Sequence, residues 1–236
     1  MAAYFISDLH LQPSTPKLTE GFHAFLKQID DAKQLYILGD FFDAWIGDDE
    51  DHPFYLEILD ALKALVDNGV ETFFLHGNRD FLIGEDVANK TGVQLLPEQY
   101  ALTLAGKNAL LMHGDSLCTT DTEYIAFRAQ VRNPAWQQQI LSLPLDQRRQ
   151  MAAQLRAQSK SMNSNKAEDI MDVNPNDVQA LFDANDIDIL LHGHTHRPNR
   201  HTLPNEKERI VLGDWGETGW YVKADEDSLE LVEFPI

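Results

Sequence analysis

Five short motifs rich in aspartate, histidine and asparagine each come directly after a strand-like run of apolar residues. The motifs lie at residues 8–10, 39–43, 77–80, 113–115 and 192–196, and the runs that precede them lie at 4–6, 35–38, 72–75, 109–112 and 187–191. Because neighbouring strands can end at one edge of a sheet, we expect these polar side chains to meet there. Seven nitrogen and oxygen ligands at one edge are enough for two divalent metal ions, a pair that usually hydrolyses phosphate esters or anhydrides.

Residues 1–118 alternate strand-like runs with segments of helical spacing, notably at 21–29 and 54–66. This alternation predicts an α/β fold whose strands are mostly buried on both faces. Further strand-like runs, which we expect to form a closing antiparallel set, lie at 210–212, 220–222 and 229–234. We therefore assign the core of the protein to residues 1–118 and 171–236.

Residues 119–170 differ in character, because strand-like runs vanish and Gln, Arg, Ala and Met accumulate. Pro134 and Pro144 divide this segment into short helices, and residues 147–160 have good helix propensity. We expect residues 119–170 to form a helical cap inserted above the metal edge. After the cap, the sequence from Asn174 predicts a turn and an N-cap that begin the next helix.

The 236-residue chain carries a net charge of −19, which argues against general nucleic-acid binding because that needs a basic surface. Residues 121–170 are the exception, with seven basic and five acidic residues; they could meet an anionic ligand or membrane surface, or simply form a solvated helical face. No apolar run approaches the roughly 18 residues that cross a bilayer, and the N-terminus lacks the basic region of a signal peptide. With Cys118 as the only cysteine no internal disulfide can form, so we expect a cytoplasmic protein.

Taken together and in order, the five motifs resemble those of the calcineurin-like metallophosphoesterases, whose pattern is D-x-H, G-D-x-x-D, G-N-H-[DE], H-G-[DH] and G-H-[ST]-H. The resemblance runs from residue 8 to residue 196 and implies a four-layer α-β-β-α sandwich. For one metal ion it implies the ligands Asp8, His10, Asp40 and His196. For a second ion it implies the ligands Asp40, Asn78, His113 and His194, so that Asp40 would bridge the pair. It assigns catalysis to Asp40, Asn78, Arg79 and His113.

These residue types suit the chemistry that the resemblance implies. A carboxylate between two cations neutralises charge and keeps them roughly 3.5–4 Å apart. Imidazoles and hard oxygens suit Mn²⁺, Fe or Zn²⁺ better than a thiolate site would, and the pair would activate a water molecule for in-line attack on phosphorus. We interpret Asp43, Asp80 and Asp115 as partners that fix the orientation of the ligands.

Arg79 stands where the family usually has a histidine that assists the leaving group. Arginine does not release its proton at physiological pH, so it cannot act as a general acid. Its planar fork can instead bind two phosphate oxygens at once. This favours cleavage of a pyrophosphate, whose leaving phosphate monoester needs little protonation, over cleavage of an ester.

A closer resemblance within the family involves residues 39–49 and 77–81, together with the spacing of Ser159, Asn163 and Lys166 in the cap. These segments look like the members from Gram-negative bacteria that cleave the lipid-linked nucleotide sugar UDP-2,3-diacylglucosamine in lipid A biosynthesis. The resemblance implies attack on the α-phosphorus, release of 2,3-diacylglucosamine 1-phosphate and UMP, and Mn²⁺ as the metal. It assigns substrate binding to Asn78, Arg79, Asp121, Ser159, Asn163, Lys166 and His194.

An apolar stripe in the cap fits such a substrate, because two acyl chains need an apolar groove. Its members, which could instead pack the cap onto the core, are Tyr124, Phe127, Val131, Trp136, Ile140 and Leu141. Because the acyl chains of the substrate would sit in a membrane, we expect a monomer attached peripherally to the cytoplasmic face of the inner membrane. The expected contacts are apolar cap residues beside Arg128, Arg132, Arg148 and Arg149.

Two other functions fit part of the pattern. A nucleotide phosphodiesterase or protein phosphatase of the same fold would share the metal ligands, but such enzymes usually keep histidine after the asparagine and lack a lipid-sized cap. A non-catalytic scaffold of this fold would typically lose metal ligands, whereas all seven positions are filled here.

Overall fold

The computed structural model describes residues 2–163 and 172–236, and its strands form two facing sheets. Numbered along the chain, the strands are β1 (Ala2–Ile6), β2 (Ala32–Ile37), β3 (Glu71–Phe74), β4 (Gln94–Leu95), β5 (Tyr100–Leu104), β6 (Lys107–Leu111), β7 (Ile189–His192), β8 (Asn199–Thr202), β9 (Glu208–Val211), β10 (Thr218–Ala224) and β11 (Leu229–Pro235). One sheet has the order β11-β10-β1-β2-β3-β4 and the other has the order β5-β6-β7-β9-β8. In the first sheet β1, β2, β3 and β4 pair parallel in that order, and in the second sheet β7 pairs parallel with β6 and β9.

The interior between the sheets is an apolar layer to which both contribute. On the first sheet, the ring of Tyr36 stacks on Phe5 and Phe73, with ring centroids 4.8 Å and 4.6 Å apart. On the second sheet, Leu111 and Leu191 belong to the same buried cluster. These residues alternate along their strands with side chains that face outward, as expected for strands buried on both faces.

Helices cover the outer faces of both sheets. Numbered along the chain, the helices are α1 (Pro16–Gln28), α2 (Pro53–Asp67), α3 (Glu85–Thr91), α4 (Thr122–Val131), α5 (Pro134–Leu141), α6 (Leu145–Asn163) and α7 (Pro175–Asn185). Side chains of α1, α2 and α3 pack on the first sheet, and those of α7 pack on the second. The four-layer α-β-β-α sandwich expected from the motifs is therefore confirmed.

Local sequence explains where these helices begin. Asn174 accepts a hydrogen bond from the backbone N–H of Asn176 (3.0 Å) and Pro175 follows it, so α7 starts with the expected N-cap. In the segment before it, α5 begins at Pro134 and α6 begins just after Pro144, which confirms that the prolines divide this segment. None of the described helices is both long and apolar enough to cross a membrane.

Paired arginines tie the first turn of α6 to the core. Arg148 is buried and donates to the carbonyl of Ile46 (2.7 Å) and to the carboxylate of Asp49 (2.7 Å). Arg149 pairs with Glu50 and Asp51. The cap is therefore clamped onto the loop that follows the second metal motif.

The four cap arginines beside the expected membrane contact all form hydrogen bonds or ion pairs within the protein, and the membrane contact itself stays a prediction. Arg128 donates to Asp115 (2.8 Å) and pairs with Glu98, and Arg132 donates to the carbonyl of Gly77 (2.8 Å). Arg148 and Arg149 form the clamp to the core described above. A pattern of charge along a sequence shows which residues are basic, but their partners in the folded chain decide which of them are available.

The prediction that the runs at 210–212, 220–222 and 229–234 form one antiparallel set is wrong in one respect. The last two strands, β10 and β11, do pair antiparallel with each other and extend the first sheet beside β1. The strand before them, β9, instead belongs to the second sheet and pairs parallel with β7. Its antiparallel partner is β8, a polar edge strand that carried no strand-like apolar run.

Candidate metal centre and substrate groove

The five sequence motifs meet at one edge of the sandwich, as expected. The strands β1, β2, β3 and β6 end with one or two residues between them and their motifs, and β7 ends at His192, the first residue of its motif, so their loops lie side by side. Backbone hydrogen bonds hold neighbouring loops together: the N–H of Asp8 donates to Gly39 (3.1 Å) and that of His10 to Asp40 (3.0 Å). The N–H of Gly193 donates to His113 (2.9 Å), which joins the last two motifs.

Five of the expected ligand residues adopt the left-handed backbone conformation, which residues with a Cβ rarely occupy. They are Asp8 (φ 57°), His10 (φ 50°), Asp40 (φ 51°), His194 (φ 67°) and His196 (φ 55°). Each such conformation costs about 1–3 kcal/mol unless neighbouring structure enforces it. Their concentration at one edge indicates that the surrounding fold holds these residues in strained backbone conformations.

Two motif glycines permit the close approach of the loops. A side chain at Gly77 would collide with the backbone N and carboxylate of Asp40, and one at Gly193 would collide with the carboxylate of Asp8. The glycines before Asn78 and His194 are thus required by packing of the carboxylates against the neighbouring backbone.

A first group of possible ligands consists of Asp8, His10 and His196, whose ligand atoms lie within 4.8 Å of one another. The two Nε2 atoms of His10 and His196 face each other at 3.2 Å, and His196 Nε2 lies 3.4 Å from Asp8 Oδ1. Asp8 Oδ1 and His10 Nδ1 are buried and have no hydrogen-bond partner among residues 2–163 and 172–236. A buried polar atom without a partner destabilises the folded state, and a divalent cation would provide a partner for both atoms.

A second group consists of Asp8, Asp40 and His113, again within 4.8 Å. His113 Nε2 lies 3.6 Å from Asp40 Oδ1 and 3.0 Å from the amide oxygen of Asn78. Asp40 also lies 3.8 Å from the ring of His10 in the first group. The carboxylates therefore stand where the two groups meet, and the bridging role of Asp40 stays a prediction.

His194 lies beside the second group. Its ring is T-shaped against that of His113, with centroids 5.0 Å apart, and the ring of Tyr124 packs against it with centroids 5.7 Å apart. Burial, reinforced by His113, lowers the pKa of His194 to about 3. The imidazole is therefore neutral at physiological pH, which is the form that binds a metal ion.

Buried charges in this cluster depend strongly on one another. Burial raises the pKa of Asp40, because an ionised carboxylate is poorly solvated there. Burial alone would lower the pKa of His196, but the carboxylates of Asp214 and Asp8, each 3.4 Å from its ring, raise it to about 10. The cluster thus favours a positive charge beside its carboxylates, and its mixed oxygen and nitrogen donors fit Mn²⁺, Fe²⁺ or Zn²⁺.

Two of the three expected orienting aspartates hold backbone or cap residues in place. Asp80 is buried and accepts hydrogen bonds from the backbone N–H groups of Phe41 (2.7 Å) and Gly77 (2.8 Å), which fixes the loops on either side of Asp40. Asp115 accepts from the hydroxyl of Tyr124 (2.8 Å), whose ring packs against that of His194. These contacts agree with the interpretation of both as orienting residues.

Asp43 instead anchors Arg79, whose Nη1 donates to it at 2.6 Å. Arg79 Nε lies 3.1 Å from the carboxylate of Asp40, so two carboxylates direct this guanidinium. Arg156 from the cap helix α6 also donates to Asp43 (3.2 Å). Sequence reasoning missed Arg156, whose only signal was a basic residue among others in α6.

A cavity of about 320 Å³ opens beside Asn78 and Arg79, with residues of the core and of the cap in its lining. Its walls are mostly apolar, and the members of the expected stripe that line it are Tyr124, Phe127, Trp136 and Ile140. Val131, the last residue of α4, is buried, and Leu141 is exposed. The stripe therefore divides between lining the cavity and packing, the two alternatives that the sequence left open. Trp45 and Ala152, which the sequence analysis did not single out, also line the cavity.

The substrate-binding residues expected in the cap have different locations. Ser159 lines the cavity. Asp121 is the N-cap of α4 and accepts from the N–H of Tyr124 (3.1 Å), so it fixes the start of that helix. Asn163 is the last residue of α6, and its side chain, like the whole of Lys166, lies outside the described part of the chain. Substrate contacts of these residues stay predictions.

Cys118 is expected to be dispensable for turnover. It is buried in the apolar cluster under α7, where burial raises its pKa to about 12, so it is a neutral thiol. We expect Cys118→Ser to retain turnover and to lose about 1–2 kcal/mol of stability, because a hydroxyl is more costly to bury there. Steady-state kinetics with thermal unfolding would measure both, with Cys118→Ala as the apolar control. Loss of turnover in a folded Cys118→Ser protein would contradict this prediction.

A sandwich with aspartate, histidine and asparagine ligands at one edge defines a metal-dependent phosphoesterase. The chain belongs to the calcineurin-like phosphoesterase family, whose sequence model matches residues 1–198. Relatives named UDP-2,3-diacylglucosamine hydrolase are similar to it over the full length of both chains: the protein of Cellvibrio japonicus is 52% identical over 240 residues and that of Salmonella arizonae 51% over 240 residues. Among solved structures, an archaeal phosphodiesterase has a TM-score of 0.53 at 10% identity and covers 99% of this chain and 100% of its own, which shows the fold alone.

Proposed function

We propose that this protein hydrolyses the pyrophosphate bond of UDP-2,3-diacylglucosamine and releases 2,3-diacylglucosamine 1-phosphate and UMP, a step of lipid A biosynthesis. The observation that carries the proposal is an apolar cavity that opens onto Asn78 and Arg79 beside the cluster of metal ligands. A simple phosphodiester needs the ligands alone, whereas an acylated sugar also needs an apolar cavity. The names of relatives about 50% identical to the chain support the same substrate.

Two divalent metal ions, for which we propose Mn²⁺, would be held by Asp8, His10, Asp40, Asn78, His113, His194 and His196. When bound, such a pair supplies an activated water molecule and neutralises charge on the phosphoryl group. The chain holds these side chains ready: neutral His194 offers a ring nitrogen, and Asn78 contributes an amide oxygen without adding negative charge that would repel phosphate.

Arg79 is proposed to bind the phosphate that leaves. Held by Asp43 and Asp40, its guanidinium lines the cavity close to the ligands. It would stabilise negative charge without giving up a proton, as suits a phosphate monoester leaving group. Asp40 and His113 are proposed to act with Arg79 and Asn78 as the catalytic set.

The acylated half of the substrate is proposed to lie between the core, residues 1–118 and 171–236, and the cap, residues 119–170. Aromatic and aliphatic walls would take the acyl chains, and Ser159 would contact the sugar with Asp121, Asn163 and Lys166. The roles of Asn163 and Lys166, whose side chains lie outside the described part of the chain, are proposed from the family resemblance.

Peripheral contact of a monomer with the cytoplasmic face of the inner membrane completes the proposal. Among described residues, the large apolar side chains that are most exposed are Phe127 (37%) and Leu141 (42%), and both lie on the cap. Apolar side chains of this kind can enter the interface of a bilayer. With the arginines of the cap engaged elsewhere, apolar insertion is the stronger candidate for this contact.

Assay of the purified protein, supplied with Mn²⁺, against two substrates tests the proposal. We expect efficient release of UMP from UDP-2,3-diacylglucosamine and slow turnover of bis-(p-nitrophenyl) phosphate. Efficient turnover of the simple diester with no release of UMP from the lipid nucleotide would favour a nucleotide phosphodiesterase instead.

Filling the cavity gives a sharper test of its role. Ala152 lines the cavity, whereas Ala153, its neighbour in α6, faces solvent. We expect Ala152→Trp to raise the KM for UDP-2,3-diacylglucosamine by about tenfold or more, because an indole would displace apolar contacts worth at least about 1.4 kcal/mol. Turnover of bis-(p-nitrophenyl) phosphate should stay within a factor of about two.

The matched control for this substitution is Ala153→Trp, which adds the same bulk outside the cavity. It should leave the kinetics with both substrates close to those of the parent protein. Equal effects of the two variants on the lipid nucleotide, or no effect of Ala152→Trp, would show that the acyl chains do not occupy this cavity.

A further inference from the structure

His192 is the first residue of the last motif, and the expected ligand sets include His194 and His196 but not this histidine. It is the last residue of β7, and its side chain is fully buried. Both nitrogens of its ring have a neighbour: Nδ1 lies 2.8 Å from the carbonyl oxygen of Gly193, and Nε2 lies 3.4 Å from Nη1 of Arg209 on β9. The ring therefore connects a strand that contributes no ligand to the loop that carries two of them.

The two neighbours determine which ring nitrogen of His192 carries the proton. A guanidinium has donors only, so Nε2 must accept a hydrogen bond from Arg209. A carbonyl oxygen only accepts, so Nδ1 must donate to Gly193. The other neutral tautomer would place a donor against a donor at Arg209 and an acceptor against an acceptor at Gly193. The ring is thus neutral and fixed in one orientation.

The carbonyl of Gly193 belongs to the peptide unit that leads into His194. The N–H of the same peptide unit donates to Asp8 Oδ2 (2.9 Å), so His192 and Asp8 hold this unit at its two ends. The N–H of Thr195 also donates to the carbonyl (2.8 Å), which has a second lone pair to accept it. Since His194 has a left-handed backbone (φ 67°), its conformation needs such support from the residues around it.

The ring of His192 also packs against the loop of another motif. A Cβ at Gly114 would lie only 2.7 Å from His192 Nδ1 and 3.3 Å from the oxygen of Gly193, so the glycine after His113 makes room for the ring. The N–H of Gly193 donates to the carbonyl of His113. His192 therefore supports the loops of both His113 and His194, which belong to the ligand set expected for the second metal ion.

We propose that His192 is a positioning residue for the second metal ion, because its Nδ1–H sets the Gly193–His194 peptide and thereby the direction in which His194 offers its ring. The inference rests on the pair of ions in the proposed function and adds a residue outside both ligand sets. Partners that orient metal ligands typically contribute about 10–100-fold to metal affinity. Arg209 in turn fixes the ring of His192 from the neighbouring strand.

Calorimetric titration of the metal-free protein with Mn²⁺ tests this role independently of turnover. We expect the parent protein to bind two ions. His192→Leu, which fills the space without ring nitrogens, should bind one of them about 10–100-fold more weakly and the other as the parent does. Circular dichroism of the metal-free variant should show an intact fold, and its turnover should recover when the concentration of Mn²⁺ is raised. Binding of both ions as tightly as in the parent would overturn the proposal.

Two further variants separate the hydrogen bond of His192 from its packing. Asparagine can place an amide nitrogen where Nδ1 lies and donate to Gly193, whereas glutamine places its amide where Nε2 lies. We therefore expect His192→Asn to bind the second ion more tightly than His192→Gln does. The opposite order, or equal weakening in both, would overturn the proposal. This comparison also decides the question if His192→Leu does not fold.

The matched control is His76→Leu, because His76 likewise stands directly before a motif glycine. Its Nε2 contacts the carbonyl of Ile83 (2.7 Å) instead, and the N–H of Gly77 is held by Asp80 (2.8 Å). This variant should lose stability and still bind both ions as the parent does. Weakening of an ion to the same degree as in His192→Leu would show that loss of either histidine acts through general destabilisation, which would overturn the proposal.

Failure of this inference is distinguishable from failure of the proposed function. If the parent protein binds fewer than two Mn²⁺ ions, the metal centre of the proposed function fails first. If the parent binds two ions and releases UMP from the lipid nucleotide, but His192→Leu binds both ions equally well, only the role of His192 is refuted.

Discussion

Asp40→Ala is expected to reduce turnover by roughly a thousandfold or more while leaving the fold intact, since a carboxylate that neutralises metal ions cannot be replaced by a methyl group. Asp40 is buried where the two groups of ligands meet, 3.8 Å from His10 and 3.6 Å from His113. Its removal withdraws charge from both groups together. Steady-state turnover and metal content, measured by elemental analysis after gel filtration, would check the two parts of this prediction.

Asp40→Asn serves as the control of nearly the same shape. It keeps an oxygen that can accept the hydrogen bond from the N–H of Arg79 but removes the negative charge. Because burial raises the pKa of Asp40, the ionised carboxylate opposes folding of the metal-free protein at neutral pH. A group of this kind stabilises the fold less as pH rises through its folded pKa, so metal-free Asp40→Asn should unfold at the same temperature as the parent or higher. Near-normal turnover in either variant would disprove the proposed metal site.

Arg79→His is expected to reduce kcat/KM for the lipid nucleotide by about 10²–10³, as for loss of one group that stabilises transition-state charge. The substitution restores the residue that is usual in the family, yet the surroundings here suit a guanidinium. Asp43 and Asp40 bind it from two directions, which an imidazole cannot reproduce. The variant should therefore not become an ordinary monoesterase, which assay with p-nitrophenyl phosphate would check.

Two companion variants separate charge from position at Arg79. Arg79→Lys keeps the charge but loses the planar fork, so it should be nearly as impaired as Arg79→His. Asp43→Asn keeps the guanidinium and weakens its anchor, for which a loss of about 10–100-fold is expected. A variant of Arg79 within a factor of a few of the parent would show that the leaving phosphate does not depend on this residue.

Much of the fold was predictable because local signals and tertiary structure agree. The five apolar runs before the motifs are strands, and the prolines at 134 and 144 separate the helices of the cap. The partner of β9 was not predictable, because an apolar strand of this kind can pair with either sheet. The edge strands β4 and β8 are short or polar and owe their form to the neighbours beside them.

For the candidate site, the motif residues were predictable and their surroundings were not. Spacing after strands places Asp8, His113 and His196 at one edge, whatever the loops between them do. Asp121 shows the limit, since an aspartate before a helix serves equally well as a ligand for a sugar or as an N-cap. Whether a residue such as Trp45 lines the cavity depends on how the cap packs on the core. No local sequence pattern encodes that packing.

The left-handed conformations among the ligand residues carry a consequence for how metal is acquired. Their conformational cost is met when the chain folds, so little rearrangement is left for the moment at which an ion enters. Capture should then be limited by dehydration of the ion and by its availability, while release requires breaking several ligand bonds at once. A preorganised metal site of this type lowers the thermal stability of the metal-free protein and slows the release of bound metal ions.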